Sequence, residues 1–281
     1  MDDHRIGTVD DTARWVAHHR ALESARPDAL FHDPFAARLA GSTGRAIAEG
    51  AAPAAGGGDG WYLTARTVLI DEAVAAAIAG GCDTVVNLGA GLDARPYRLD
   101  LPAGLEWIEV DLPAILDHKA AVLTSETARC RLRRVPLDLA GEGLANLLDG
   151  LADRRVLALA EGLVMYLSPD EADALADTLL AAGVERWCLD LSAAGVGSVM
   201  AERNRGILRR APWRFLPADG VAHIEDRGWR ADRIEPLFPA AVRLGRLDSP
   251  EAHRLAAGPQ PDPRNPGDAP WSGVVSVVPA R

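Results

Sequence analysis

An α/β chain with a doubly wound, mainly parallel sheet is what this sequence predicts, and three observations carry the prediction. Helical and strand-like segments alternate from residue 61 to 191. Val156-Leu157-Ala158-Leu159-Ala160 is a continuous apolar run, as a strand buried on both faces requires. Thr84-Val85-Val86-Asn87-Leu88 runs into Gly89-Ala90-Gly91, the outline of a strand whose carboxyl end opens onto a nucleotide-like ligand. A Cβ at either glycine would obstruct the turn or hold a ligand off the backbone.

The elements follow in order. Residues 1–8 read as frayed. A helix is expected from Asp11 to about Ser24, capped by Asp10, Asp11 or Thr12. Asp33-Pro34 reads as N-cap and first turn of a second helix reaching Gly50. Ala51 to Gly60, rich in Ala, Gly and Pro, reads as a mobile loop. Trp61 to Ala79 has helical spacing and stops at Gly80-Gly81. Strand 1 is expected at 83–88, followed by a short irregular piece from Arg95 to Leu99. Strand 2 is Leu105 to Asp111, with a helix from Pro113 to Glu126. Strand 3 is Arg133 to Leu139, then a short helix from Leu144 to Leu151, then strand 4 at Val156 to Ala160. Ser168-Pro169-Asp170-Glu171 is a strong helix start, and that helix ends at Gly183. Arg186 to Leu191 is strand 5.

After residue 192 the alternation stops. Residues 193–236 read as a long segment, helical around 196–210, with few strand signals. Ala241 to Leu247 reads as strand 6 and Gly273 to Val278 as a final strand. Between them, five prolines from Pro259 to Pro270 demand an extended loop. One domain is expected: a helical extension over 1–55, a cofactor-binding core over 61–192, a lid over 193–236 and C-terminal strands over 237–281.

Composition narrows the function. Of 281 residues, 48% are hydrophobic and 25% charged, as in ordinary soluble domains. The net charge of −10 disfavours nonspecific nucleic-acid or anionic-membrane binding. Lys119 is the only lysine. Cys82, Cys130 and Cys188 form no C-x-x-C pair, which argues against zinc or a disulfide framework and for a reducing cytoplasmic setting. The acidic start lacks a signal-peptide core. No run reaches the roughly 18 apolar residues of a membrane span.

Ligands of open parallel sheets sit at the carboxyl ends of the strands. Those ends are acidic: Asp111 falls 20 residues after Gly91, where a ribose-binding carboxylate is expected, and Asp138 and Glu161 close strands 3 and 4. Three acids crowding the turn would repel a pyrophosphate. A cationic adenosine derivative is a better match, and S-adenosylmethionine carries both a sulfonium and an ammonium.

Asn87-Leu88-Gly89-Ala90-Gly91-Leu92-Asp93-Ala94-Arg95, Glu109-Val110-Asp111-Leu112-Pro113, Pro136-Leu137-Asp138-Leu139 and Glu161-Gly162-Leu163-Val164-Met165-Tyr166-Leu167 together resemble the leucine carboxyl methyltransferase family. They are most similar to its bacterial branch of S-adenosylmethionine-dependent O-methyltransferases. Asp28 to Ala36 and Arg66 to Asp71 share the likeness, which covers roughly residues 12–192. The resemblance implies a class I methyltransferase-like Rossmann fold with a seven-stranded sheet and an antiparallel C-terminal strand. It implies that Arg66 holds the methionine carboxylate and that Gly89, Ala90 and Gly91 pass close to the methionine. Asp111, with Leu112, takes the ribose; Asp138 and Leu139 frame the adenine; Glu161 faces the ammonium; Tyr166 lies on the acceptor side. S-adenosylhomocysteine is the implied product, no metal is implied, and the acceptor is a small molecule.

A carboxylate acceptor is ionised at neutral pH and needs no base. A hydroxyl would be helped by one, and His18, His19, His32 and His223 are the candidates. Met200, Trp213, Phe215 and Trp229 are candidates for an apolar acceptor wall. Two rivals stand. One is an NAD-dependent oxidoreductase, suggested by Gly-x-Gly-x-x-Ala and Asp111 but lacking a Tyr-x-x-x-Lys pair. The other is a protein that binds S-adenosylmethionine without turnover.

Overall fold

The computed structural model describes residues 9–50, 60–139, 141, 143–197 and 212–280. Its helices are α1 Val9–Ser24, α2 Ala36–Gly50, α3 Trp61–Ala79, α4 Arg95–Arg98, α5 Pro113–Val122, α6 Gly143–Asp149, α7 Pro169–Ala181, α8 Val221–Glu225, α9 Leu237–Arg243 and α10 Pro250–Ala257. The strands are β1 Thr84–Leu88, β2 Glu106–Asp111, β3 Arg131–Pro136, β4 Val156–Ala160, β5 Arg186–Ser192, β6 Trp229–Pro236 and β7 Ser272–Pro279. They form one sheet in the order β3-β2-β1-β4-β5-β7-β6. β1 to β5 pair in parallel, whereas β7 is antiparallel to both β5 and β6. The order reverses beside β1, so the Gly89-Ala90-Gly91 turn lies at the switch point where such sheets bind ligands.

Strand periodicity sorts the core into two layers. Val86, Ile108, Ala158 and Trp187 face α6 and α7 on one side. Val85, Trp107, Leu157 and Cys188 face α3 and α9 on the other. The indoles of Trp107 and Trp187 are fully buried, and each side chain of this size stabilises by about 1.5–3 kcal/mol. A third cluster packs α1 and α2 onto Leu92, Tyr97 and Ile115, which seats the N-terminal helices over the carboxyl ends of the strands. The only lysine is structural: Lys119 Nζ donates to Glu109 at 2.6 Å with both side chains fully buried, and Arg134 donates to the other Glu109 oxygen at 2.9 Å. α7 starts with the expected capping box between Ser168 and Glu171.

Several expectations are corrected. α1 already runs at Val9, so Asp10, Asp11 and Thr12 lie within it and do not cap it. α2 begins at Ala36, after a turn in which Asp33 Oδ1 accepts from the Phe35 N–H, and is kinked at Gly41. β3 ends at Pro136, which puts Asp138 and Leu139 in the following loop. Trp229–Pro236 is a strand, although the 193–236 stretch shows few strand signals. Ala241 to Leu247 is not a strand: Leu237, Ala240 and Ala241, spaced for one helical face, are buried in α9. The chain is helical at 194–197, where the helix expected around 196–210 begins; the rest of that helix, Met200 included, and the loop expected over 51–60, apart from Gly60, lie outside the described residues. No described helix is long and apolar enough to cross a membrane.

Candidate functional site

A cavity of about 350 Å³ opens at the carboxyl ends of β1, β2 and β4. Arg66, Gly89, Ala90, Gly91, Asp111, Leu112, Asp138, Leu139, Glu161 and Tyr166 all line it. Across the mouth they follow the strand order. Asp138 lies beyond β3, Asp111 ends β2, the glycine turn follows β1, and Glu161 and Tyr166 follow β4.

The glycine turn is held from below. Gly91 donates its N–H to Asp111 Oδ2 at 2.6 Å, and Leu112 donates to Asp111 Oδ1 at 2.7 Å. A carboxylate has about four lone-pair sites, so two backbone bonds leave Asp111 able to accept more. Gly89 has φ +62°, and an added Cβ would approach Leu163 Cδ1 to 3.0 Å. Only glycine takes that backbone without strain.

Beside the turn, α3 brings Arg66 into the cavity with 6% of its surface exposed. Its Nε donates to Glu161 Oε1 at 3.1 Å and its Nη1 to Asp190 Oδ2 at 2.9 Å. Nη2 is left as the edge that can meet a ligand. The other oxygen of Glu161 accepts from Arg95 Nη1 at 2.6 Å. Arg95, fully buried, also donates to Asp93 at 3.0 Å and to Asp71 at 2.7 Å, and Arg98 forks onto Asp71. Asp190 Oδ1 accepts from the Gly162 N–H at 2.6 Å, so one carboxylate fixes both Arg66 and the backbone after β4.

Electrostatics follow from this network. Burial disfavours the Arg66 charge, but Asp190 and Glu161 outweigh it and hold the guanidinium charged. Burial also opposes ionisation of Glu161, yet Arg95 and Arg66 bring it below the usual carboxylate range. Asp93 is depressed too, because Arg95 and Lys119 overcome its burial. Three guanidiniums (Arg66, Arg95, Arg98) are thus interleaved with four carboxylates (Asp71, Asp93, Glu161, Asp190), and Lys119 acts on Asp93 as well. Paired charges of both signs so close together can meet a ligand that itself carries both. S-adenosylmethionine, with two cationic groups and one carboxylate, is such a ligand, and the cavity carries both an arginine edge and accepting carboxylates.

α1 forms the roof. Arg20 donates to the Leu92 carbonyl at 2.6 Å and to Asp33 at 2.9 Å, tying the helix to the glycine turn and to the start of α2. Thr12, Ala13, Trp15 and Val16 face the cavity. The wall on the β4 side is the 3₁₀ turn Val164–Tyr166. Burial pushes the Tyr166 hydroxyl above its ordinary pKa, against the pull of the neighbouring Trp213 and Thr12.

The four histidine candidates do not line the cavity. His19 packs edge-on against Trp15, His18 is held below its usual pKa by burial and Arg45, and His32 is exposed. His223 bonds Asp173 at 2.8 Å. Of the expected apolar wall, Trp213 lines the cavity, while Phe215 and Trp229 are core residues. Asp190 and Arg20 lie outside the strings that carry the resemblance, and Arg95 closes one of them without an assigned role. The strand-end rule that picks out Asp111 does reach Asp190 on β5, but buried arginines leave no local signal.

This fold and site define a Rossmann-type methyltransferase that uses S-adenosylmethionine. The chain belongs to the leucine carboxyl methyltransferase family, whose model matches residues 13–180. A relative from Parafrankia sp. (strain EAN1pec), provisionally named an S-adenosyl-L-methionine-dependent methyltransferase, is 38% identical over 81% of this chain and 78% of its own. One of the same provisional name from Frankia alni is 35% identical over 85% of this chain and 90% of its own. Among solved structures, a DUF574 family protein from Streptomyces avermitilis shares the fold, with a TM-score of 0.59, 16% identity and coverage of 96% and 97% of the two chains.

Proposed function

We propose that this methyltransferase methylates an oxygen, a carboxylate or hydroxyl, of a small molecule. When bound, S-adenosylmethionine supplies a methyl group carried on a sulfonium. Arg66 Nη2 holds the methionine carboxylate through a charge-assisted hydrogen bond. Asp111 accepts from the ribose hydroxyls with the lone pairs its backbone bonds leave over, beside Leu112. Asp138 and Leu139 border the adenine. Glu161, shared between two arginines, contributes attraction toward the ammonium and keeps Arg66 in place. Gly89, Ala90 and Gly91 let the backbone approach the methionine.

One observation carries the oxygen reading. The acceptor end is bounded by the hydroxyls of Tyr166 and Thr12 and the indole of Trp213, and none of the histidine candidates is among its lining. A described lining without histidine fits catalysis by alignment and exclusion of water, and suits an acceptor that arrives ionised or ionises easily. The roofed cavity and net charge of −10 favour a small acceptor over a nucleic acid. Three free cysteines accord with a cytoplasmic setting.

The test is transfer of a radiolabelled methyl group to a panel of carboxylic acids, phenols, amines and thiols. Alkaline treatment releases methanol from methyl esters and leaves aryl ethers intact. Label appearing only on nitrogen or sulfur acceptors refutes the oxygen reading. Tight cofactor binding with no transfer to any acceptor identifies a binding protein.

A further inference from the structure

Two buried polar atoms in the cavity wall have no hydrogen-bond partner: Thr12 Oγ1 and Trp213 Nε1. Buried donors are nearly always satisfied, so such atoms mark a place where something else binds. Both flank the Tyr166 hydroxyl closely enough for each to pull its pKa down as a hydrogen-bond donor would, although neither contact has the geometry of a formed bond. The three come from separate parts of the chain. Thr12 is on α1, which Arg20 anchors to the Leu92 carbonyl at 2.6 Å. Tyr166 is on the turn after β4. Trp213 is placed by its neighbours, since the N–H groups of Arg214 and Phe215 both donate to the Met165 carbonyl, at 2.7 and 3.2 Å. The indole is therefore pinned to the same turn that presents Tyr166.

All three can donate. An indole N–H only donates, and each hydroxyl has one hydrogen to give as well as lone pairs to accept. The carboxylates of this site lie elsewhere or are paired: Asp138 and Asp111 border the β3 and β2 side, and Glu161, Asp93 and Asp190 are engaged by arginines. Around Tyr166 the β4 side of the cavity is thus a cluster of donors whose neighbouring carboxylates, Glu161 and Asp190, are taken up by arginines, an arrangement that can receive negative oxygen.

Resting on the oxygen reading above, we propose that Thr12, Trp213 and Tyr166 form a three-donor cradle for the anionic oxygen of the acceptor. Trp213 and Thr12 are its positioning residues. The acceptor class is an ionised oxygen acid, either a carboxylate or a phenolate, with its anionic end turned to Trp213 Nε1 and Thr12 Oγ1. Such an acceptor has no proton to surrender on methylation, in keeping with a cavity that has no histidine among its described lining residues. The donors hold the oxygen in line and make binding of the neutral analogue weaker, because hydrogen bonds to an amide or unionised oxygen are weaker than those to a charged one.

The experiment measures binding to the S-adenosylhomocysteine complex of the full chain by calorimetry. The probes are aromatic and aliphatic carboxylates, their primary amides, and phenols of graded acidity. Thr12→Val removes one donor with little change of shape, and Trp213→Phe removes the other while keeping an aromatic ring in its place. The expected result is carboxylate or acidic-phenol binding that exceeds the matched neutral compound by tenfold or more. Each variant then loses at least fivefold for the anion while its affinity for S-adenosylhomocysteine stays within twofold. With an accepted substrate, KM rises more than kcat falls. Carboxylate preference over phenols assigns the first source, and the reverse the second. If anions and neutral analogues bind alike, if no anion binds the wild-type complex, or if both variants bind anions as the wild type does, the proposal is overturned. Loss of cofactor binding in both variants also overturns it, since the residues then serve the cofactor. Oxygen methylation that is unaffected in the variants sinks the cradle alone. Anion binding that depends on Trp213, with methyl transfer confined to nitrogen or sulfur, sinks the oxygen reading alone.

Discussion

Asp190→Asn is the most informative single change in the molecule. Asp190 accepts from Arg66 Nη1 at 2.9 Å and from the Gly162 N–H at 2.6 Å, with a side chain 6% exposed. Asparagine keeps an oxygen for Gly162 but turns an NH2 donor toward a guanidinium donor. Removing one partner of a buried ion pair costs about 3–5 kcal/mol. Arg66 retains Glu161 at 3.1 Å, which places the loss at the lower end, about 3 kcal/mol. At about 2–4 °C per kcal/mol, the scale for domains of roughly 150–250 residues, the melting temperature should fall by about 6–12 °C. Arg66 also loses one of its two anchors, and cofactor affinity should fall by about tenfold, or about 1.4 kcal/mol. The control is Asp232→Asn, which breaks an exposed pair with Arg186 at 2.6 Å. Such pairs contribute about 0–1 kcal/mol. Thermal unfolding and calorimetry with S-adenosylhomocysteine measure both. The reasoning fails if Asp190→Asn costs no more than Asp232→Asn and leaves cofactor binding unchanged.

Asp111→Ala removes the acceptor of the Gly91 N–H together with the ribose partner; cofactor affinity should drop at least about tenfold on loss of two hydrogen bonds to a charged group, each about 1.5–3 kcal/mol, as titration calorimetry will read. Gly44→Ala would put a Cβ 2.4 Å from the Arg14 carbonyl oxygen, so α1 must shift off α2; a loss of about 1–3 kcal/mol is expected in urea unfolding, together with weaker binding under the displaced roof. Glu161 and Asp93 have folded-state pKa values below their unfolded ones. Their contribution is complete above about pH 4, the unfolded value, and is lost as pH falls through the lower folded values. Urea midpoints followed from neutral pH downward should therefore decline below about pH 4, and more shallowly in Glu161→Gln; an equally steep decline in that variant assigns the acid sensitivity elsewhere.

Legibility tracked locality. β1, its glycine turn and Asp111 are readable because apolar run, turn chemistry and spacing occupy one short stretch. β6 is not, because an edge strand carries alternating charge; Trp229 is its one buried residue and Arg230, Ala231, Arg233 and Ile234 are at least partly exposed. α9 carries a β-branched residue at Val242 and is settled as helix by the face it buries on α3. Arg66 and Glu161 are marked by resemblance, but their mutual bond joins residues 95 apart, and the bond from Arg66 to Asp190 spans 124. No window of sequence contains such a pair, and only the packed sheet creates it. Asp138 lay within reach of the strand-end rule although β3 stops two residues before it.

The placement of β7 bears on how the protein comes to exist. This strand, residues 272–279, sits between β5 and β6 rather than at an edge, and Val274 pairs with Asp190 itself. During synthesis the ribosome delivers the glycine turn, Arg66 and Glu161 long before this strand. Until then β5 has one neighbour and an open flank, a template for pairing with another nascent chain. Completion of the sheet beside the binding site thus waits on this strand. A chain halted before Ser272 should emerge as an aggregating intermediate instead of a weaker enzyme, and refolding yield should depend on protein concentration more steeply than the full-length native state's stability suggests.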